Sequence, residues 1–238
     1  RVTAFQKKYG RAGQVAANGL QTNGTLIDEE FAKHLGANKF LVGVSLDGPA
    51  EVHDVYRKYG DGRGTHADVM KGIGHLIKNK VEFNILTLVS RSNTGKAGEI
   101  YRYLCDNGFL IQQYIECVEF DESGKLMPYS ISGEEWGDFL CELYDAWIKA
   151  DARKVSIRLF DSVLTKLVDG VASCCSMGTD CRMYLVVEHN GDIYPCDFFV
   201  EPELKLGNIM EDGWQAFLGH HVYGEFGNFP WEQGGIPY

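Results

Sequence analysis

Short apolar runs alternate with amphipathic stretches from near the start of this chain to about residue 160, with no repeat or low-complexity block between them. That rhythm of strand and helix is the strongest restriction on the fold. Residues 40–46 form an apolar run ended by Asp47-Gly48-Pro49, which predicts a buried strand closed by a turn. Residues 81–89 and 111–118 repeat the pattern, and an earlier strand is expected to end near Leu20. Between them, residues 28–35, 67–78 and 97–105 carry helical periodicity, and in the second Val69, Ile73, Leu76 and Ile77 are expected on one face. Ser132, with Glu135 three residues on, predicts a capping box that opens a helix through Trp136, Leu140, Leu143 and Trp147, both tryptophans belonging to the helix core. Strands spaced by such helices predict βαβ crossovers and a parallel sheet, with any ligand at the carboxyl ends of the strands.

After Ser173 the texture changes. Two β-rich stretches, 182–188 and 192–196, flank His189-Asn190-Gly191, a strong local hairpin signal. Three of the seven cysteines, Cys105, Cys117 and Cys141, are isolated, whereas Cys174, Cys175, Cys181 and Cys196 crowd around that hairpin. The odd number argues against a disulfide scaffold, and 33 acidic against 23 basic residues, a net charge of −10, argue against nucleic acid as a partner. No apolar run approaches the roughly 18 residues of a membrane span, and the first residues lack a signal-peptide stretch, so the cytoplasm is the expected compartment. In a chain of this kind close-set thiols are more often metal ligands or redox groups than bridges.

Each chemical reading has a plainer rival. Cys175 and Cys181 lie on a Gly-bearing loop, and the hairpin returns Cys196 toward it, so three thiolates can converge on one metal. Softness alone does not separate zinc from an iron–sulfur cluster, and the rival is a set of small buried hydrophobes. Ser45 ends a predicted strand and Arg57 follows in the next loop; together they can hold a ligand carboxylate, or they form a turn with a solvated Arg. Residues 60–65 precede a helix and invite a phosphate reading, but without a P-loop Lys-Ser/Thr a turn with Thr65 near the cap fits better. Asp197, next to Cys196, is either a general base held at the edge of a metal site or a surface carboxylate. His220 and His221, being adjacent, are expected to diverge and to make a poor zinc pair.

Taken together, Gln21-Thr22-Asn23-Gly24-Thr25, then Ser45-Leu46-Asp47-Gly48-Pro49 with His53-Asp54 and Arg57, then residues 62–65, Cys175, Cys181 and the Cys196-Asp197 pair resemble the anaerobic sulfatase-maturating enzymes. These are radical S-adenosylmethionine enzymes with a cluster-binding domain of the SPASM type, and the resemblance runs from about residue 15 to residue 214. It implies an α/β fold: a partial (β/α)6 TIM-like radical SAM barrel lacking its first units over residues 1–172, and a small C-terminal SPASM-like β-hairpin module, truncated, over residues 173–238. It implies S-adenosylmethionine and 4Fe-4S clusters as cofactors, and oxidation of a sulfatase Cys or Ser to formylglycine by way of a 5′-deoxyadenosyl radical. By the same resemblance Ser45 and Arg57 hold the adenosylmethionine carboxylate, and Ile115 lies where the backbone meets the adenine. Cys175, Cys181 and Cys196 match three ligands of an auxiliary cluster, and Asp197 matches the base. Expected partners are a sulfatase polypeptide and a reducing electron donor such as flavodoxin or ferredoxin, with neither nucleic acid nor membrane.

Two departures qualify the resemblance. The Cys-x3-Cys-x2-Cys loop that binds the radical-generating cluster occurs nowhere in these residues, and residues 219–238 hold Gly and aromatics where a cysteine-rich tail is expected. The chain reads as an internal piece, expected to be inactive alone because the cofactor carries the radical chemistry. A sheet edge is expected to lie uncovered. Two rival functions stand beside this one: a SPASM-type maturase of another peptide, and a non-catalytic zinc module built on the same three thiols.

Overall fold

A computed structural model describes residues 1–227 of the chain, and these divide into two compact units meeting in sequence at Phe160 and Asp161. The first unit runs α1 (Val2–Tyr9), β1 (Asn18–Thr22), α2 (Glu29–Ala37), β2 (Phe40–Ser45), α3 (Ala50–His53), α4 (His66–Lys78), β3 (Glu82–Val89), α5 (Ala97–Asp106), β4 (Ile111–Glu116), α6 (Gly133–Ala150) and β5 (Ser156–Ile157). The five strands form one sheet in chain order, every pair parallel. All strand carboxyl ends therefore lie at one end of the sheet, as the alternating sequence predicts. Among the described residues β1 pairs only with β2.

Helical spacing explains how the layers close. Val69, Ile73 and Leu76 of α4, Ile100 and Leu104 of α5, and Phe139, Leu143 and Trp147 of α6 bury against Val42, Val44, Ile85 and Val89 of the sheet. Steps of three and four residues keep such positions on one stripe. Ile77 departs from the expectation: it is 55% exposed, because one residue beyond Leu76 turns the side chain about 100° off that stripe. Trp136 stacks on Phe139, and the Trp147 indole donates to the Val155 carbonyl at 2.8 Å, so both tryptophans serve the core.

Local signals set the helix ends. Asp28 caps α2 by accepting from the Phe31 amide at 2.8 Å. The Ser132 and Glu135 box forms as expected: the Ser132 hydroxyl accepts from the Glu135 amide, and the Glu135 carboxylate accepts from the Ser132 amide. Gly108, with φ +76°, follows α5 where the sequence places a stop.

The second unit begins within α7 (Arg158–Asp169) and continues with β6 (Val186–Val187), β7 (Asp192–Tyr194), β8 (Gly207–Asn208), α8 (Trp214–Leu218) and α9 (His221–Gly227). The Asn-Gly hairpin is present, with Val186 opposite Tyr194 and Val187 opposite Ile193. Its strands are shorter than expected, and a third antiparallel strand, β8, extends it to a small sheet. Ile193, Leu206, Phe217 and Tyr223 form the core of this unit. His220 and His221 do not diverge: the rings stack with centroids 4.6 Å apart, His220 lying in the turn before α9 with Nδ1 accepting from the Val222 amide. The tail beyond residue 227, read in sequence as Gly- and aromatic-rich, lies outside the described residues.

The capping box generates a direct test. Ser132→Ala removes one acceptor at the start of the longest helix and is expected to cost about 1 kcal/mol. A matching fall in the urea midpoint followed by circular dichroism, with the slope unchanged, checks it.

Candidate active site

The first unit gathers its polar groups at the carboxyl ends of β2, β3 and β4. β2 ends at Ser45, opposite Leu86 of β3, and one further backbone bond joins the Leu46 amide to the Leu86 carbonyl. Two residues on, the Leu88 amide has no strand left to pair with. The Asp47 carboxylate takes that amide at 2.9 Å, so a side chain supplies the last rung of the β2–β3 ladder. The Leu88 carbonyl accepts from the side-chain amide of Asn93, Nδ2, at 3.0 Å.

Asp47 also anchors Arg57. Nε of the guanidinium donates to Oδ2 at 2.5 Å and Nη2 to Oδ1 at 3.1 Å, a two-point contact made by one edge of the group. Arg57 is thus neither solvated, as the plainer sequence reading had it, nor fully spent: Nη1 and the outer Nη2 proton pair with no described residue. The Ser45 hydroxyl is likewise bonded to none. Ile115 lies opposite Leu88 in the β3–β4 register, one residue before β4 ends. The three residues assigned to the cofactor therefore share one end of the sheet.

The rest of the motif is the frame around Arg57. His53 is fully buried, and its Nδ1 accepts from the Asp47 amide at 3.2 Å while Nε2 meets the Thr65 hydroxyl at 3.0 Å. Thr65 in turn donates from its hydroxyl to the Arg57 carbonyl at 2.9 Å. The Asp54 carboxylate accepts from the Thr65 and His66 amides, both at 2.9 Å, and so occupies two of the donors at the start of α4. A side-chain carboxylate thus stands where the phosphate reading would put an anion, and Thr65 lies at the cap as the turn reading has it. Gly64 must be glycine, since a Cβ would sit 2.1 Å from an Asp54 carboxylate oxygen. Sequence reasoning picked out Asp47, His53 and Thr65 as parts of a motif without giving them these roles.

In the second unit Cys175 opens a short 3-10 turn, Cys175–Met177, and Cys181 and Cys196 are each partly buried. Burial is the main cause that pushes the Cys181 thiol up, and ionisation of Cys175 or Cys196 would push it further. Among the described residues no three His, Cys, Asp or Glu side chains close into a set that holds a metal ion. The donor set suits a thiophilic centre, whose positive charge would reverse the mutual repulsion of the thiolates. Asp197 is exposed, and one of its oxygens, Oδ1, accepts from the Tyr184 hydroxyl at 2.9 Å and from the Cys196 thiol at 3.7 Å. The phenol is pushed up by burial and then by its bonds to Cys196 and Asp197, so it stays protonated and donates. Tyr184 was missed in the sequence although the hairpin contains the signal: extending the Val186–Tyr194 register outward by two residues brings Tyr184 opposite Cys196.

The frame makes a pH prediction. Burial, the largest cause, lowers His53 from the usual 6.5 to about 4, against the opposing Asp47 charge and with the Arg57 charge acting in the same direction. Between those values the unfolded chain binds a proton that the folded chain refuses, so stability is fully present above about 6.5 and is lost as pH falls toward 4. The loss attributable to His53 is about 3 kcal/mol. Urea midpoints between pH 7 and 4 are expected to fall more steeply for the native chain than for His53→Gln; equal slopes refute the assignment.

Known proteins are similar to this chain along most of its length. Residues 169–233 match the SPASM iron-sulfur cluster-binding domain. A Cysteine-type anaerobic sulfatase-maturating enzyme of Clostridium perfringens is 40% identical over 215 residues, which are 89% of this chain and 58% of that protein. A Serine-type enzyme of Bacteroides thetaiotaomicron is 39% identical over 220 residues, 86% of this chain and 53% of that one. The solved structure of native anSMEcpe with bound AdoMet and Kp18Cys peptide superposes with a TM-score of 0.89 at 37% identity, over 95% of this chain and 63% of that one. The chain thus spans a little over half the length of the curated relatives it matches. By sequence and by fold, the chain is homologous to the anaerobic sulfatase-maturating enzymes.

Proposed function

We propose that the protein carrying this chain is a radical S-adenosylmethionine oxidoreductase that converts a Cys or Ser of a sulfatase to formylglycine. The observation that carries the reading is the Asp197 carboxylate, held at Oδ1 by Tyr184 beside the Cys196 thiol. Such an acid, oriented at one oxygen and open at the other, suits removal of a proton from a thiol or hydroxyl. Homology to both Cys-type and Ser-type enzymes is consistent with either target.

When bound, S-adenosylmethionine and a 4Fe-4S cluster supply the hydrogen-abstracting radical. The chain's own residues bind and orient. Arg57 offers its outer edge, and Ser45 its hydroxyl, to the adenosylmethionine carboxylate; the Ile115 backbone meets the adenine. Cys175, Cys181 and Cys196 hold an auxiliary cluster through their thiolates, and Asp197 accepts the proton of the target side chain. In this reading the work divides near residue 172, cofactor binding before it and the auxiliary cluster after it. It also implies a cytoplasmic protein that draws electrons from a carrier such as flavodoxin or ferredoxin. No helix among the described residues is long and apolar enough to cross a membrane.

Mass spectrometry of a sulfatase-motif peptide after anaerobic incubation with the reconstituted full-length protein that carries this chain, S-adenosylmethionine and reductant is expected to show formylglycine; an unchanged peptide rejects the reading. Asp197→Asn is expected to lower that yield by roughly a hundredfold or more while keeping the iron content. Cys196→Ser is expected to lower bound iron and sulfide. Stoichiometric zinc without iron in the native protein would instead favour a structural metal module.

A further inference from the structure

Arg57 has two edges that can each receive a carboxylate: one formed by Nε with an Nη, the other by the two Nη groups. Asp47 occupies the first edge, leaving the second for a ligand. An arginine tied only at its head still swings about its four-carbon stem. Here the backbone of the same residue is tied as well, through a chain of hydrogen bonds whose direction is settled by chemistry. A backbone amide can only donate, so the bond from the Asp47 amide makes Nδ1 of His53 the acceptor. The neutral ring then carries its proton on Nε2 and donates to the Thr65 oxygen. Thr65 has its own hydroxyl proton left and donates it to the Arg57 carbonyl. The ring is fully buried, and Val52, Asp47 and Thr65, all buried, come from the same stretch of chain. Asp47 therefore begins two paths that end on Arg57, one at the guanidinium and one at the carbonyl.

We propose that His53 and Thr65 are positioning residues for Arg57, locking its carbonyl through an Nε2–H imidazole so that the Nη1/Nη2 edge stands ready for the S-adenosylmethionine carboxylate. The inference rests on the proposed cofactor role of Arg57. It gives the His-Asp and Gly-Thr pairs of the motif separate tasks: His53 and Thr65 fix Arg57, whereas Asp54 and Gly64 fix the start of α4.

Thr65→Val keeps the shape of the side chain and deletes the hydroxyl, while Thr65→Ser keeps both hydrogen bonds. Calorimetric titration with S-adenosylmethionine, well below the melting temperature, is expected to give about tenfold weaker binding for Thr65→Val and near-native binding for Thr65→Ser. A merely structural strut would lower the melting temperature of Thr65→Val and leave the affinity of the folded protein unchanged, which overturns the proposal. His53→Leu, which deletes both the donor toward Thr65 and the acceptor for the Asp47 amide, serves if Thr65→Val does not fold, and native-like affinity there also overturns it. Nitrogen-15 correlation spectra of the ligand-free chain at neutral pH are expected to show His53 as the Nε2–H tautomer; an Nδ1–H or doubly protonated ring refutes the relay without reference to any ligand. Native protein that binds no S-adenosylmethionine removes the cofactor reading itself, and the positioning role falls with it.

Discussion

The buried carboxylate of Asp47 ties three parts of the first unit together at the end of the sheet. It closes the last open amide of β3, grips one edge of Arg57, and sits on a backbone whose amide orients His53. A charge taken this far out of water is tolerated only when its lone pairs are filled, and here both oxygens accept. Removing the carboxylate would leave the Leu88 amide and the Arg57 guanidinium without partners at once. The end of the sheet is thus a single polar assembly, and Ser45, Arg57 and Ile115 owe their common setting to it and to the parallel register.

The second unit solves a different problem with fewer residues. Its core is small, built from Ile193, Leu206, Phe217 and Tyr223 around a three-stranded sheet. The hairpin brings Tyr184 to Cys196 and Asp197. Cys175, Cys181 and Cys196 lie within residues 169–233, which are similar to the SPASM iron-sulfur cluster-binding domain.

Periodicity made the first unit legible. The strand at residues 40–45, the capping box at Ser132 and the stripe through Val69, Ile73 and Leu76 follow from local rules and appear as those rules predict. Ile77 was misassigned because an apolar residue beside the stripe looks, in sequence, like part of it. β5 and β8 escaped notice for another reason: Ser156–Ile157 and Gly207–Asn208 are too short for any pattern, and Gly and Asn resist strand geometry. β8 is held from outside, by backbone bonds to Ile193 and Gly191 and by the Asn208 side chain on Asp192.

What the sequence determined by itself was the order of strands and helices, the hairpin, and which residue types stand near one another along the chain, since these depend on propensities and spacings of a few residues. What only the tertiary structure decided was the wiring: that Asp47 faces Leu88 across 41 positions, that His53 reaches Thr65 across 12, and that Arg57 keeps one edge open. Hydrogen-bond direction and burial arise when distant segments close on one another and exclude water, and no local pattern encodes which donor will then meet which acceptor.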